Sequence, residues 1–380
     1  MKRGPERARG VASSVSLCDW CLGRQFVSSV LDAESWGSKV PREGAGGGSC
    51  ALCREAYKKR KEIAAKAAAA LDKFEFSSLQ VGVAVPASQV DAEDELRAKF
   101  GLSSGIGIKK ALVSLFRREI LDVLGKEVLL GNADAALKID LSDESFSVRS
   151  RNMSFMVRYV KLLKGVKTKG VACAGCGGDG CQACDDMGVS AEHPSVERSL
   201  VKAFKQAFEA AGVKISWSGS EDDDAMVLGR GRPVFVQVVS PMRRNGGFER
   251  LDRLIGGPVQ LVQVESKDFD PGFFDGLRKV VRFDVELDRE AGQDALAMIE
   301  SSFREKGLPS ASRRVKKVHW LRITENRGRK VKAVAEMDNG ISPWRVVGLK
   351  EGEEGIAGLL GRGSVLKACY DILDFAWAHE

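Results

Sequence analysis

The stretch Cys173–Cys184, CAGCGGDGCQAC, carries two Cys-x-x-Cys pairs, Cys173/Cys176 and Cys181/Cys184, joined by glycines. Two cysteines at this spacing can turn both thiolates toward one ion, and two pairs complete a tetrahedral four-sulfur zinc site. The glycines allow the tight knuckle that brings four sulfurs together. Outward from it, Cys18/Cys21 and Cys50/Cys53 repeat the pattern across 28 intervening residues that include GAGGGS (44–49). The four pairs use eight of the nine cysteines. Disulfides, redox Cys-x-x-Cys motifs and unligated thiols are the alternatives, and the lack of a secretory signal disfavours the first. Four thiolates leave no open coordination position, so zinc here is structural.

A chain of 380 residues predicts two or three domains, and an apolar fraction of 44% suffices for real cores. No apolar run reaches the length of a membrane span. The basic start, MKRGPERARG, reads as a disordered arm rather than a transit peptide. A net charge of +7, with runs such as KKRK (58–61) and RRVKK (313–317), permits a nucleic-acid partner, although charge runs are usually solvated faces. Only His193, His319 and His379 occur, none near a promising Ser or Cys, which argues against a His-activated nucleophile or a His-rich catalytic metal site.

The expected architecture is α+β and multidomain. Residues 1–56 form a zinc module. Residues 57–170 form an α+β domain containing an Ala/Lys helix (57–72), a strand in FSSLQVGVAVP (76–86) and a helix over 107–125. That second helix carries Leu112, Leu115, Phe116, Ile120 and Val123 and stops at Gly125. Two further strands, AALKIDL and SFSVRS, follow. The knuckle (171–190) is a hinge, and residues 191–380 form a mixed α/β catalytic domain. It opens with an amphipathic helix carrying Val196, Leu200, Phe204 and Phe208, followed by strands VKISWSG, AMVLG and VFVQVVSP. Strands at VQLVQVES and LRKVVRFDVEL and a helix at GQDALAMIESSFREKG come next. Cys369 is expected in an apolar C-terminal helix, buried and inert.

Between the first two strands of that domain lies Ser220-Glu221-Asp222-Asp223-Asp224. Four adjacent carboxylates repel one another unless some face water or a cation. A solvated hairpin tip is the common outcome. A calcium loop lacks the required ligand spacing. The third reading is one working carboxylate with the others on the rim, since loops on a rigid sheet concentrate catalytic groups.

Gly219-Ser220-Glu221-Asp222 through Val227-Leu228-Gly229-Arg230-Gly231-Arg232-Pro233 resembles the GRED…LGxGRPF signature of archaeal-type tRNA pseudouridine synthases modifying uridines 54 and 55. That family contains zinc and THUMP modules. CDWCLGRQF (18–26) with CALC (50–53) is similar to its zinc module, and FSSLQVGVAVP to its THUMP-containing region. Arg158-Tyr159-Val160-Lys161-Leu162 with Lys164-Gly165-Val166 resembles its GRYxKLxRGI segment, and CAGCGGDGC before SVE (195–197) resembles its hinge knuckle. The likeness covers most of residues 15–240 and is thin afterwards.

The resemblance implies a pseudouridine synthase catalytic domain with Asp222 as the catalytic carboxylate. It implies Arg345, in ISPWRVVG, as a nearby cation, and Phe283 as the ring stacking on the base, with a core role the alternative. The THUMP-containing half would grip tRNA, with RNA contacts at Arg158, Lys161, Lys164 and Lys167 and with Arg232 on phosphate or supporting the loop. KVHWLRITENRGRKVK (317–332) adds a second basic, aromatic-punctuated stretch. Structural zinc, no organic cofactor, no membrane, a monomer and a cytoplasmic location complete the expectation. The chain departs from the pattern at Ser220 and Met226, where the family carries Arg, and near Val281, where its tyrosine is expected. Two rival functions remain. One is a non-catalytic zinc-stabilised tRNA-binding protein. The other is a THUMP-type tRNA thiolation enzyme, whose SGGxDS loop Ser218–Asp223 matches only superficially. A THUMP methyltransferase would need a glycine-rich nucleotide loop after a strand, and the sequence has none.

Overall fold

A computed structural model describes all residues except 1–3, 43–48, 126–128, 130–132, 220, 246, 311–313, 350–354, 362 and 379–380. The glycine run 44–48, Ser220, Arg313 and His379 therefore lie outside the described residues. The chain divides into two units, 1–151 and 152–380, and is mixed α/β.

In the first unit, α1 (Gly4–Ser14), α2 (Asp19–Gly23), α3 (Ala33–Gly37) and α4 (Arg60–Leu71) precede β1 (Leu79–Ala84), α5 (Ala87–Phe100) and α6 (Ile108–Leu124). Strands β2 (Ala135–Asp140) and β3 (Ser145–Ser150) close it. β1 pairs in parallel with β2, and β2 antiparallel with β3. Alternation in LQVGVA and AALKID buries Leu79, Val81, Val83, Ala135, Leu137 and Ile139. α6 covers that core with Leu112, Leu115, Phe116 and Ile120 and stops at Gly125 in the left-handed region, φ 58°. Val123, in its last turn, is 52% exposed.

The second unit runs β4 (Met153–Lys161), α7 (Val196–Ala207), β5 (Ala210–Trp217), β6 (Val227–Pro241), α8 (Gly247–Leu254), β7 (Val259–Ser266), β8 (Leu277–Leu287) and α9 (Gln293–Ser302). It continues with β9 (Lys306–Pro309), β10 (Val315–Arg327), β11 (Lys330–Asp338), α10 (Pro343–Val347), α11 (Ile356–Leu360) and β12 (Val365–Trp377). Among the described residues these strands form one nine-stranded sheet, ordered β7-β4-β6-β12-β8-β11-β10-β9, with β5 on β6. α7 presents Val196, Leu200 and Phe204 to it, followed by the C-cap residue Phe208, each fully buried, and Phe155 of β4 meets Phe204 and Phe208 at 5.7 and 5.1 Å. Each such ring contributes roughly 1.5–3 kcal/mol through burial.

Three segments differ from the sequence reading. Residues 153–161, expected in the first half, form the strand between β6 and β7 of the second unit. Seven consecutive positions of β4 are buried, which only an interior strand with neighbours on both edges sustains. AMVLG and VFVQVVSP are one strand, β6, because Gly229 and Gly231 adopt φ of 61° and 75° and carry it through the RGRP segment. A Cβ on Gly231 would lie 2.7 Å from the Tyr159 carbonyl oxygen. The C-terminal segment is strand β12, not a helix. It pairs with β8 along its length and touches β6 in parallel at Ile372 and Val227, leaving Cys369 half-buried.

Candidate active site

The acidic run lies in the β5–β6 connection, and its four carboxylates separate by environment. Glu221 is buried, ion-paired with Arg232 and accepting a hydrogen bond from the Tyr159 hydroxyl at 2.9 Å. Burial pushes the Tyr159 phenol up to about 12. Asp222 is half-buried, whereas Asp223 and Asp224 are exposed.

The backbone around Asp222 is clamped from below. The Lys161 ammonium donates to the carbonyls of Val166 (2.9 Å), Asp222 (2.9 Å) and Asp223 (3.2 Å). The N–H groups of Gly165 and Val166 also reach the Asp223 carbonyl, at 2.9 and 3.2 Å. Thr168 donates to the Glu221 carbonyl at 3.3 Å. On the other side the Asp222 N–H donates to the Tyr370 hydroxyl at 3.1 Å. The parallel bridge between β6 and β12 places Tyr370 there. Beside it, Asp371 accepts from the Met226 N–H at 3.0 Å and pairs with Arg282 (2.8 Å) and Lys164 (3.3 Å). Burial alone would raise the Asp371 carboxyl, but the Met226 N–H and the two cations hold it below its ordinary range.

The Asp222 carboxylate receives the Trp344 indole N–H at Oδ2. Trp344 meets Tyr370 edge to face, with ring centroids 5.2 Å apart. Beneath them Lys279 is buried at a core position of β8 and donates to the Ile341 carbonyl at 2.6 Å. Burial and the nearby Arg232 push its ammonium down to about 7, and burial pushes Lys161 down to about 8. The negative charge of Asp222 offsets part of that penalty on both. The result is a carboxylate fixed at both ends of its peptide unit, flanked by two aromatic rings over buried cations. A carboxylate held in this way can serve as a nucleophile or a base without moving the loop.

The structure redistributes the residues singled out from sequence. Arg345 is half-buried on α10, and among the described residues no ion pair joins it to Asp222; its neighbour Trp344 makes the contact. Phe283 is fully buried beside Val281 and Val285 and has no face left for a base. It sits opposite Tyr370 across the β8–β12 pair, 6.4 Å between centroids. Arg158, Lys161 and Arg232 are 4%, 0% and 1% exposed, with donors spent on protein acceptors. Their side chains are turned inward and hold the fold around the acidic loop, which for Arg232 is the supporting role named above. Lys164 and Lys167 lie at the surface. In the second basic stretch, Lys317 and Lys332 pair with Glu305 and Glu325 at 2.9 and 2.6 Å, so part of its charge is neutralised locally. Tyr370, Trp344 and Lys279 join the site without having been among its sequence candidates. Only Lys279 left a sequence signal, a lysine in phase with the buried alternation of LRKVVRFDVEL.

Both cysteine sets converge: Cys18, Cys21, Cys50 and Cys53 in the first unit, and Cys173, Cys176, Cys181 and Cys184 in the second, with sulfurs within 4.8 Å of one another. Sulfur separations of 3.7 Å (Cys18–Cys53) and 3.9 Å (Cys173–Cys181, Cys176–Cys184) match the roughly 3.8 Å edge of a tetrahedron with metal–sulfur bonds of about 2.3 Å. Each set can hold a metal ion. Arg198 ties the second to α7, donating to the Cys184 and Val189 carbonyls at 3.3 and 2.5 Å. That knuckle therefore belongs to the second unit and does not lie at the division between units.

Comparison with known proteins places these features in a family. A model of "Pus10, C-terminal" matches residues 157–268. The chain is 30% identical to "tRNA pseudouridine synthase Pus10" of Cenarchaeum symbiosum, over 74% of this chain and 70% of that one. It is 28% identical to the protein of that name from Nitrosopumilus maritimus, over 62% of each chain. With the Halorubrum lacusprofundi protein of the same name it shares 27% identity over 93% of this chain and 92% of that one. The chain thus spans about three fifths of the Nitrosopumilus maritimus relative's length. A solved chain of an archaeal box H/ACA sRNP Nop10-Cbf5 complex overlaps 46% of this chain and 42% of its own at 14% identity, with a TM-score of 0.26, too low to establish a shared fold.

Proposed function

This chain belongs to the Pus10 family of tRNA pseudouridine synthases, and from that premise we propose that it isomerises uridine to pseudouridine in tRNA with Asp222 as the working carboxylate. The target is uridine 54, uridine 55 or both, in the TΨC loop. The observation that carries this reading is the isolation of one carboxylate from a run of four, held by Lys161 and Tyr370 through its backbone and by Trp344 through its side chain. The reaction breaks the N-glycosidic bond and rejoins the base through carbon, with no net redox change. A single carboxylate that attacks the sugar carbon or removes its proton suffices. A target base in a folded loop must be everted to reach it.

The first unit is the THUMP-containing half that grips tRNA, and Lys164 and Lys167 meet phosphate near the catalytic loop. Arg345 supplies positive potential from α10. Zinc fills both four-cysteine sites as structural metal, each closed to catalysis by its fourth thiolate. Metal analysis of the purified chain is expected to give two zinc ions per molecule. Retention of both after Cys181→Ser would remove the second site from that account.

The test of function is incubation with unmodified tRNA, without ATP or a methyl donor, followed by mapping of pseudouridine. Product is expected with wild type, Asp223→Asn and Asp224→Asn, and absent with Asp222→Asn. Full activity in Asp222→Asn would refute the assignment. Absence of pseudouridine with every version would favour the non-catalytic tRNA-binding alternative.

A further inference from the structure

The Trp344 indole N–H donates to the Asp222 carboxylate itself. Its position is built from several directions. Pro343 fixes the first turn of α10, and Gly348 ends it at φ 75°. Val346 and Val347 anchor the helix in the core. The approach to α10 is pinned by two lysines, Lys279 on the Ile341 carbonyl at 2.6 Å and Lys316 on the Asn339 carbonyl at 2.8 Å. The Asn339 amide in turn donates to the Ser218 carbonyl at the start of the acidic loop. The indole is therefore registered against the same loop that carries Asp222. Of the two rings at the site, Tyr370 is 3% exposed and spends its hydroxyl on the Asp222 N–H, whereas Trp344 is only half-buried. Trp344 alone combines a donor on the carboxylate with ring surface still open.

We propose that Trp344 is a positioning residue with two tasks: its indole N–H fixes the Asp222 carboxylate, and its open ring face is the platform on which the everted uracil stacks. This rests on the reading of Asp222 as the working carboxylate. Holding Oδ2 leaves Oδ1 as the oxygen turned to the ribose, so the donor selects which oxygen acts. A stacked uracil beside that donor places its sugar over the carboxylate, so one side chain aligns both reactants.

The two tasks separate by substitution. Trp344→Phe keeps a ring and removes the donor; Trp344→Leu removes both. With full-length protein in excess over unmodified tRNA, the single-turnover rate and the half-saturating protein concentration are measured for each. For Trp344→Phe the rate is expected to fall about tenfold or more, with half-saturation within about threefold of wild type. For Trp344→Leu the rate falls similarly and half-saturation rises about tenfold, the scale of one base–aromatic stack. The fluorescence difference between wild type and Trp344→Phe isolates the emission of Trp344, which tRNA is expected to quench. Wild-type constants in Trp344→Leu overturn the proposal. Indistinguishable Phe and Leu variants, or no quenching, overturn the stacking task. If Trp344→Leu does not melt cooperatively, Trp344→Tyr and the quenching decide the same question. Loss of product in Asp222→Asn beside unaffected Trp344 variants refutes this inference alone, whereas full product in Asp222→Asn refutes the reading beneath it.

Discussion

Glu221 and Arg232 show what a single residue can hide. In the sequence, Glu221 is one acid among four and Arg232 one cation in an RGRP turn, and nothing local ranks them. In the structure they form a buried ion pair whose free oxygen is taken by Tyr159. Removing one partner of such a pair strands the other charge, which typically costs about 3–5 kcal/mol, whereas replacing both by apolar groups of similar volume is often neutral. Arg232→Met alone is therefore expected to lower the denaturation midpoint sharply. The double variant Arg232→Met, Glu221→Leu is expected to recover most of it, and chemical denaturation of the three proteins checks this. Equal loss in the single and double variants would mean that the pair is not the energetic unit. Asp222 was legible as a candidate because its neighbours match a known signature. That Glu221 is the inward acid was not, because the choice depends on strand pairing with β4.

The register of whole elements settles the rest of the site. Where alternation is clean, as in LQVGVA or LRKVVRFDVEL, the sequence reveals the strand, and in the structure Phe283 falls in the buried row, the core role that stood as the alternative to base stacking. β12 defeated that reading. Its apolar residues run nearly continuously from Ala368 to Trp377, a pattern that helix and two-sided strand share. Only pairing with β8 and β6 distinguishes them, and that pairing brings Tyr370 under Asp222. Asp371 locks the junction, bonding the Met226 N–H of the neighbouring segment and balancing Arg282 and Lys164. Its folded pKa lies below the unfolded value, so its stabilisation is present above about pH 4, the ordinary aspartate range, and is lost as pH falls through the folded pKa. Asp371→Asn is expected to flatten the acid limb of stability against pH and to slow pseudouridine formation while tRNA affinity stays within about threefold. An unchanged acid limb would show that the junction is held without this carboxylate.

At the scale of the molecule, the buried cations of the second unit predict an unusual response to alkali. Lys279 and Lys161 are lowered to about 7 and about 8, chiefly by burial, whereas in the unfolded chain both titrate near 10.4. Between these values the unfolded state binds more protons than the native state, so stability rises with pH, by up to roughly 1.4 kcal/mol per pH unit for each lysine. Tyr159 supplies the opposing limb. Its folded value of about 12 exceeds the ordinary 10, so above pH 10 the unfolded state releases a proton that the native state keeps, and stability falls. Denaturant midpoints measured from pH 6 to 11 are therefore expected to climb from about pH 7, peak near pH 10 and then decline. Lys279→Met removes the buried ammonium and its carbonyl contact together. It is expected to lower the slope of the rise from about pH 7 upward and to leave the part of the rise that Lys161 sustains. A decline of wild-type stability from pH 7 to 9 would show that both lysines stay protonated in the folded protein, and a rise that survives unchanged in Lys279→Met would show it for Lys279. The positive floor under Asp222 would then be permanent instead of titrating near neutrality.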